Sequence, residues 1–517
     1  MTFLFLTNLT QIRYNGTVPR ISIYLQLRLV LLIMSVVCLL VALFPDSPWL
    51  PFQKELQTSR TPQAATQAVR WLFAGGALIF AGITITWRWI RHQIVAGIEW
   101  IARWPNTRFW LIVWGLGLGL RLPIEFLFPQ LEPMSDALWY HNTAIAIAEG
   151  KGLQEYGTPT AYRPPGYSTL LAITYRLFGP DPHWAWFWGI LSIIIIVLTT
   201  YLLAKRLYGT TIARIATLVI AIYPALILYT GQPMSDLVFV AGLMLVWCVI
   251  LLHPSFRWFQ TIGIGIALGL LTLTRSVAIG SFLIVPILWF LQRANRRHIL
   301  IHSILLTLVF VACLIPWLWR NYVLFGTLTL GTNMGLNLYI GSHSDASGTF
   351  DVAIVPAQLT DPTLRLNEAQ VDQIFLQEAI TFATTHPTEA LLILPRKVIQ
   401  LYLLEVTAAE SLLQNHPLWL KYGMYGVTQI FYLPILILFV LRALNLFDAR
   451  LRPQGIQWTG WLIAIYFTLL TLVFFGVDRY RLPFFPWMII EASVMLLQIK
   501  NDSPPESRPR FTLVQPG

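Results

Sequence analysis

The stretch FWLIVWGLGLGLRLPIEFLFPQLEPMSDALWYHNTA, residues 109–144, joins a long apolar run to a segment that carries a carboxylate, a tyrosine and a histidine. The run 109–128 has the length that an α-helix needs to cross a bilayer, about 20 residues. Asp136 comes soon after the apolar run has ended. This stretch therefore predicts a membrane-spanning helix with an ionisable group near one of its ends.

The composition of the whole chain is typical of a membrane protein. Of the 517 residues, 56% are apolar and only 11% are charged, whereas soluble proteins are about 25% charged. The 21 tryptophans suit rings that lie at membrane–water boundaries. The net charge of +11 needs no nucleic acid as a partner, because cytoplasmic loops of membrane proteins collect Lys and Arg. We expect an all-α polytopic membrane protein.

Apolar segments that could span a membrane recur along the chain. About twelve of them have a suitable length for a helix, and they lie near 29–44, 70–90, 109–128, 184–204, 212–230, 233–252, 258–274, 277–292, 299–319, 418–441, 457–476 and 482–499.

The basic residues between these segments predict the orientation. With a cytoplasmic N-terminus, every basic cluster falls on the cytoplasmic side, as the positive-inside bias requires. These clusters contain Arg13, Arg20, Arg28, Arg88, Arg91, Arg103, Arg108, Lys205, Arg206, Arg214, Arg293, Arg296, Arg297, Arg442, Arg450, Arg452, Lys500, Arg508 and Arg510. We expect a multi-pass protein of the bacterial inner membrane, with both termini in the cytoplasm.

This orientation divides the chain into regions. The stretch 320–417 is longer than an ordinary connector, and its apolar residues recur at helical spacing, which predicts amphipathic helices on the outer face. The tail is rich in proline and polar residues and is expected to be disordered. The predicted regions are a two-helix extension (1–104), a membrane core (105–319) with a first outer loop (129–183), an outer region (320–417), C-terminal membrane helices (418–499) and a cytoplasmic tail (500–517).

The first outer loop contains a candidate acidic site. Asp136 opens a segment that is expected to form an amphipathic helix on the membrane surface, with Asp136, Tyr140 and Thr143 on its polar side. Tyr140 lies one helical turn after Asp136, so the two side chains share a face. Ser135 could cap this helix. A purely structural alternative is that Asp136 stabilises the N-terminus of the helix.

Other charged residues are predicted at the same membrane face. The tetrapeptide PMSD occurs at 133–136 and again at 233–236, each time at the outer end of a span. Arg163 precedes two prolines, which favour a rigid turn. Acidic groups beside several guanidinium groups suit a reaction on a phosphorylated lipid, since guanidinium forks bind phosphate. The candidate residues are Asp136, Asp236, Tyr140, Arg163, Arg275, Arg479, Tyr480 and Arg481.

Three blocks of sequence resemble a known superfamily. The pattern SDALWYHNTAIAIAEGKGL, followed by PTAYRPPGYSTLLAITYRLFG, resembles the first outer loop of GT-C glycosyltransferases. Within that superfamily it is most similar to the branch that contains the protein O-mannosyltransferases and the lipid A aminoarabinose transferase. The blocks WLWRNYVLFGTLTLGTNMGLNLYIG and DRYRLPFFPWMIIEA also resemble that branch. The resemblance extends over residues 105–498.

The resemblance implies an activity and roles for the candidate residues. A sugar would move from a polyprenyl-phosphate-linked donor to an acceptor hydroxyl on the extracytoplasmic face, with Asp136 as general base. Family members often carry an acidic pair in the first loop, so the second acid here would be Asp236 or Glu149. Tyr140, Arg163, Arg275, Arg479, Tyr480 and Arg481 would bind the substrate. The acceptor could be a glycolipid, a polysaccharide or a protein, and membrane lipids would surround the enzyme.

Metal binding is the less favoured alternative for the outer histidines. His141, His183, His343 and His416 lack a ligand spacing such as HExxH. No metal site and no cofactor is assigned, although a divalent metal remains an alternative. Arg121 and Glu125 lie one turn apart in the third span and are expected to form a structural ion pair.

Two other functional classes remain open. A transporter commonly has this number of spans, but it would be expected to show two related halves and charged residues near the middle of the membrane. This chain instead has its charges at the outer face and two long outer loops. The other alternative is a non-catalytic partner in polysaccharide or glycolipid export.

Overall fold

A computed structural model of the protein describes residues 23–43, 62–128, 133–253, 256–351, 366–446, 448 and 451–501. These residues are almost entirely helical. The α-helices are α1 (Ile23–Leu43), α2 (Pro62–Ala102), α3 (Asn106–Gly119), α4 (Arg121–Leu127), α5 (Ser135–Ala148), α6 (Gly166–Phe178), α7 (Trp184–Tyr208), α8 (Thr210–Ile222), α9 (Pro224–Leu228), α10 (Asp236–Leu252), α11 (Trp258–Thr274), α12 (Ser281–Leu291), α13 (Arg296–Phe325), α14 (Met334–Gly341), α15 (Glu368–Thr385), α16 (Pro387–Tyr402), α17 (Thr407–Leu412), α18 (Leu418–Leu444), α19 (Thr459–Val473) and α20 (Phe485–Asn501).

Short elements connect these helices. Turns of 3₁₀-helix lie at Ser276–Gly280, Gly455–Trp458 and Asp478–Phe484. Strands β1 (Gln154–Glu155) and β2 (Thr158–Pro159) pair in antiparallel fashion within the first outer loop. The predicted all-α membrane class is confirmed.

Each predicted span overlaps a helix of the structure. Six helical segments among the described residues are long and apolar enough to cross a membrane, namely Asn106–Leu127, Trp184–Tyr208, Arg296–Phe325, Leu418–Leu444, Gly455–Val473 and Asp478–Lys500. Shorter apolar helices include Thr210–Ile222, Asp236–Leu252, Trp258–Thr274 and Ser276–Leu291. The total of about twelve spans stays a prediction.

The chain divides into two compact units. The first comprises residues 1–95 and 496–517, and the second comprises residues 96–495. Within the first unit, the Ser35 hydroxyl donates a hydrogen bond to the Ala77 carbonyl at 2.8 Å, which joins α1 to α2. The candidate site residues all belong to the second unit. The domain boundaries predicted from the sequence stay a prediction.

Close helix packing in the second unit depends on small residues. Helix α11 packs extensively along α13. A Cβ atom at Gly265 would lie 2.9 Å from the Val309 side chain, and one at Gly269 would lie 2.6 Å from the Cβ of Cys313. Glycines four positions apart let two membrane helices approach closely. Helix α7 packs in a similarly extensive way against α8 and α10.

A separate aromatic core lies within the segment predicted as the first outer loop. It is formed by α5 and α6 together with Trp317 of α13. Tyr140 and Thr143 are buried here, and the Thr143 hydroxyl lies 2.7 Å from that of Ser168. Tyr140 and Thr143 of the predicted polar side therefore face the protein interior, and the placement of α5 on the membrane surface stays a prediction. The polar groups tolerate burial because they hydrogen-bond within the protein.

The later outer region contains the helices that its apolar spacing predicts. Helix α15 begins with a capping box, in which Asn367 and Gln370 each satisfy the backbone amide of the other. Helix α16 follows directly, and its N-terminus carries a proline, which is favoured in a first helical turn. Their placement along the membrane surface stays a prediction, and residues 352–365 of this region lie outside the described part.

The expected ion pair between Arg121 and Glu125 is wrong. Arg121 is buried and donates hydrogen bonds to the Thr230 hydroxyl at 3.1 Å and to the Ala221 carbonyl at 2.9 Å. These contacts join α4 to the end of α8 and to the turn that precedes α10. Arg121 is thus a structural residue, as expected, but it acts through different partners.

Candidate active site

The two PMSD repeats converge in space. Asp136 lies in the first turn of α5 and Asp236 begins α10. Arg479, in the 3₁₀ turn before α20, joins them: its Nη1 lies 2.8 Å from Asp136 Oδ2 and its Nε lies 2.9 Å from Asp236 Oδ1. One guanidinium group therefore bridges two carboxylates from distant parts of the sequence.

Two further arginines complete a chain of alternating charges. Arg163 Nη2 lies 2.5 Å from Asp136 Oδ1, and Arg275 Nη1 lies 2.5 Å from Asp236 Oδ1. We call these five residues the charge chain: Arg163, Asp136, Arg479, Asp236 and Arg275. Its three positive and two negative groups leave a formal charge of +1.

Asp136 is the more accessible of the two acids. Its side chain is 27% exposed, against 2% for Asp236. Burial acts to raise the pKa of Asp136, but the charges of Arg163 and Arg479 outweigh this effect and hold the pKa well below its usual range. The carboxylate is therefore ionised at neutral pH.

The residue before Asp136 has an unusual backbone conformation. Ser135 has φ of +53°, in the left-handed region that residues with a Cβ rarely adopt. Met134, not Ser135, occupies the cap position of α5, and no side-chain capping bond forms there. The predicted capping role of Ser135 is therefore wrong. The strained conformation instead directs the chain into α5 at the position of the acid.

Two tyrosines border the charge chain. The Tyr140 hydroxyl lies 2.9 Å from that of Ser235, and the Arg163 guanidinium lies 5.6 Å from the centre of the Tyr140 ring. Tyr480 lines an adjacent cavity. Tyr140 thus holds Arg163 by a cation–π contact while bonding to the second PMSD repeat.

The cavity next to the charge chain has a volume of about 80 Å³. A cavity needs about 10–15 Å³ of such volume to hold one water molecule, so this cavity has room for roughly six. Its lining combines charged, amide and apolar side chains: Asp236, Phe239, Val240, Arg275, Ser276, Val277, Asn333, Met334, Asn337, Phe467, Leu470, Thr471, Phe474, Arg479, Tyr480, Leu482 and Pro483.

Arg481 does not join the charge chain, although the sequence suggested that it would. It is fully buried and lies 2.6 Å from the carboxylate of Glu405. Its guanidinium also stacks 3.9 Å from the centre of the Tyr432 ring and donates to the Leu401 carbonyl. Glu149 likewise lies apart, since it is half exposed and pairs with Lys151.

Several residues that support the site had no assigned role in the sequence. Asn333, which precedes α14, and Asn337 within α14 line the cavity. Glu368 accepts a hydrogen bond from the Thr160 hydroxyl at 2.9 Å, and Arg320 donates to the Thr160 carbonyl at 3.0 Å. Glu368 and Arg320 thereby fix the segment that carries Arg163. Arg320 and the two asparagines belong to the block WLWRNYVLFGTLTLGTNMGLNLYIG, which resembles GT-C enzymes. That resemblance was the only feature of the sequence that could have indicated a role for them.

The outer histidines make other contacts. His141 bonds to the Tyr175 hydroxyl, His183 to Asp181 and His343 to the Tyr339 carbonyl. Within the described residues, no three His, Cys, Asp or Glu side chains are grouped so that they could hold a metal ion.

Comparison with known families supports the resemblance noted from the sequence. Residues 162–319 match the family described as dolichyl-phosphate-mannose-protein mannosyltransferase. This match confirms the resemblance to the GT-C superfamily. The matched range contains Arg163, Asp236 and Arg275. No curated protein matches the chain.

Two solved structures are similar to parts of the chain. The archaeal oligosaccharyltransferase AglB from Archaeoglobus fulgidus, in complex with an inhibitory peptide and a dolichol-phosphate, shows a TM-score of 0.43 and 13% identity over 75% of this chain. The chain spans about half (50%) of that protein. ArnT from Cupriavidus metallidurans bound to undecaprenyl phosphate shows a TM-score of 0.36 and 14% identity, over 76% of this chain and 78% of ArnT.

Proposed function

We propose that this chain is an integral membrane glycosyltransferase of the GT-C type. It would move a sugar from a polyprenyl-phosphate-linked donor to an acceptor hydroxyl on the extracytoplasmic face. The observation that carries the proposal is the charge chain, in which three arginines and two aspartates from distant segments meet beside a cavity. The family match over residues 162–319 agrees with this activity.

The arginines suit the phosphate of such a donor. A donor in which one phosphate links the lipid to the sugar carries a single negative charge, and the charge chain has a formal charge of +1. Guanidinium groups bind phosphate oxygens through paired hydrogen bonds. When the sugar leaves, the phosphate gains negative charge, so the same arginines stabilise the leaving group as the reaction proceeds.

Asp136 suits the role of general base. In the proposed reaction the acceptor hydroxyl gives its proton to Asp136, its oxygen bonds to the anomeric carbon, and the bond from that carbon to the phosphate oxygen breaks. Polyprenyl phosphate leaves as a stable anion and needs no proton. Arg163 and Arg479 weaken Asp136 as a base while they hold it. Donor phosphate would engage these guanidinium groups and release the carboxylate for proton transfer.

The Asp136→Asn variant tests the proposal. Membranes from cells with and without the full-length protein are compared for polyprenyl-phosphate-linked sugars and for newly glycosylated acceptor. Wild-type protein should consume the lipid-linked sugar. The Asp136→Asn variant should lower the transfer rate by about 10²–10⁴-fold, the usual contribution of a general base.

A matched control comes from the same outer loop. Asp181 is an exposed acid that pairs with His183, so Asp181→Asn should leave transfer unchanged. Full activity of Asp136→Asn would contradict the assigned base. A transporter would change which side of the membrane the lipid-linked sugar occupies without releasing sugar from the lipid, and that outcome would contradict the enzyme class.

A further inference from the structure

The cavity beside the charge chain has two chemically different walls. Arg275 and Arg479 contribute guanidinium groups, which we call the guanidinium wall, and Asn333 and Asn337 contribute amides, which we call the amide wall. Phe239 and Phe467 are among the apolar residues that complete the lining. The guanidinium wall suits an anion, but an anion gains little from the carbonyl oxygens of the amide wall.

Asp236 lines this cavity and carries an unsatisfied oxygen. Its Oδ1 atom accepts hydrogen bonds from Arg275 and Arg479. Its Oδ2 atom is buried and has no hydrogen-bond partner within the described part of the chain. A buried carboxylate oxygen without a donor is unfavourable. A ligand hydroxyl that donates to Oδ2 would satisfy this atom.

The amide wall offers donors and acceptors together. Asn333 immediately precedes α14 and Asn337 lies in its first turn. The Asn337 amide donates a hydrogen bond to the Asn333 carbonyl at 3.1 Å, which holds the two residues next to each other. Each amide can donate two hydrogen bonds and accept through its oxygen. Hydroxyl groups both donate and accept, so this wall matches a polyhydroxylated ligand better than a phosphate.

Helix α14 is held firmly in place. A Cβ atom at Gly335 would lie 1.9 Å from the Asp372 carbonyl oxygen of α15, and one at Gly341 would lie 1.7 Å from the Phe474 carbonyl oxygen. Asp372 also accepts a hydrogen bond from the Leu336 amide at 3.0 Å. Packing at both ends of α14 fixes the direction of the asparagines, as specific recognition requires.

We infer that this cavity binds the sugar ring of the donor, and that Asp236 Oδ2, Asn333 and Asn337 recognise its hydroxyl groups. The inference rests on the proposed function. The volume of about 80 Å³, roughly six waters, suits a single ring. Arg275 and Arg479, which line the same cavity, disfavour a cationic amino sugar, so the substrate class is an uncharged hydroxylated sugar. Asp236 then binds substrate and does not act as a second catalytic acid.

Donor-binding measurements test the inference. Full-length protein in nanodiscs is titrated with undecaprenyl phosphate, and with the same lipid carrying mannose, glucose, N-acetylgalactosamine or 4-amino-4-deoxyarabinose. At least one uncharged sugar should raise affinity over the bare lipid, and the amino sugar should not. Asn337→Ala and Asn333→Ala should each weaken binding of that sugar-bearing lipid roughly 3- to 10-fold, the effect of one lost hydrogen bond. Their affinity for undecaprenyl phosphate should stay unchanged.

Asn295→Ala is the matched control, because Asn295 is an exposed asparagine that caps α13 and does not line the cavity. It should bind every lipid as the wild type does, and thermal unfolding of all variants checks that they are folded. If the asparagine variants lost affinity for the bare lipid and for the sugar-bearing lipid to the same extent, that result would overturn the inference. So would a wild type that gains nothing from any uncharged sugar, or one that prefers the amino sugar. Wild-type protein that binds none of the lipids would overturn the proposed function itself.

Discussion

At the scale of single residues, Arg479 and Arg481 show how a small change of position separates two roles. Both lie in the 3₁₀ turn Asp478–Phe484, where successive residues are rotated by about 120° and residues two apart point in different directions. Arg479 therefore reaches Asp136 and Asp236, while Arg481 reaches Glu405. The sequence could not separate them, because it does not specify the kind of turn that follows residue 477.

Arg481→Ala should lower the free energy of unfolding, and it should not selectively weaken donor binding. Glu405 is 3% exposed, and loss of its arginine would leave a buried carboxylate without its ion-pair partner. Breaking a buried pair in this way lowers the free energy of unfolding by about 3–5 kcal/mol. Chemical unfolding in detergent measures the change. The double variant Arg481→Met with Glu405→Leu should recover much of the loss, whereas normal stability with reduced donor affinity would restore Arg481 as a phosphate ligand.

The sequence predicted the five residues of the charge chain, but it did not predict the asparagines that line the adjacent cavity. Asp136, Asp236, Arg163, Arg275 and Arg479 were expected at one membrane face, and the structure brings them into contact. Asn333 and Asn337 were not singled out, because an asparagine in an apolar segment carries no charge and no distinctive spacing. Their importance depends on which cavity α14 faces, and only the tertiary packing determines that.

At the scale of secondary-structure elements, apolar length predicted the helices well, but side-chain polarity did not predict their packing faces. Every predicted span overlaps a helix, because a run of about 20 apolar residues has few other structures available in a membrane. Helix α5 was different. Its tyrosine and threonine side chains face the protein interior, where Ser235 and Ser168 supply hydrogen-bond partners. Such partners come from distant parts of the chain and are invisible to a local pattern.

Gly335→Ala should disturb the site through the packing of α14. The added methyl group would meet the backbone of Asp372 at 1.9 Å, so α14 would have to move away from α15. We expect a loss of about 1–3 kcal/mol in the free energy of unfolding, as in other overpacked positions, together with weaker binding of the sugar-bearing lipid. Thermal unfolding and donor titration measure the two effects.

A second glycine provides the comparison for Gly335→Ala. Gly423 lies in α18, and among the described residues no atom outside the backbone of its own helix comes within 4 Å of the position of an added Cβ. Gly423→Ala should leave stability unchanged or raise it by up to about 1 kcal/mol, because alanine favours the helix. Equal behaviour of the two variants would show that the contact between α14 and α15 is looser than the structure has it.

At the scale of the whole molecule, the asymmetry of charge predicts which face of the membrane the site occupies. In the proposed orientation the charge chain lies on the face opposite the basic clusters. Cysteine labelling tests this orientation, after Cys38, Cys248 and Cys313 have been replaced by alanine. Tyr156→Cys, at a position that is 80% exposed, should react with an impermeant maleimide added outside intact cells.

Arg297→Cys provides the opposite marker, because Arg297 is exposed at the start of α13 on the predicted cytoplasmic side. It should react with the same reagent only after the membrane has been permeabilised. Labelling of both positions from one side would contradict the predicted topology, and with it the extracytoplasmic location of the site.

The bridge made by Arg479 has a consequence for biosynthesis. The residue that joins the two aspartates is separated from Asp136 by 343 positions, so it leaves the ribosome long after Asp136 does. A nascent chain therefore carries both acids before it carries their shared cation. An unfinished or truncated polypeptide lacks a complete charge chain, so under the proposed function it should not transfer sugar until the C-terminal helices have been inserted.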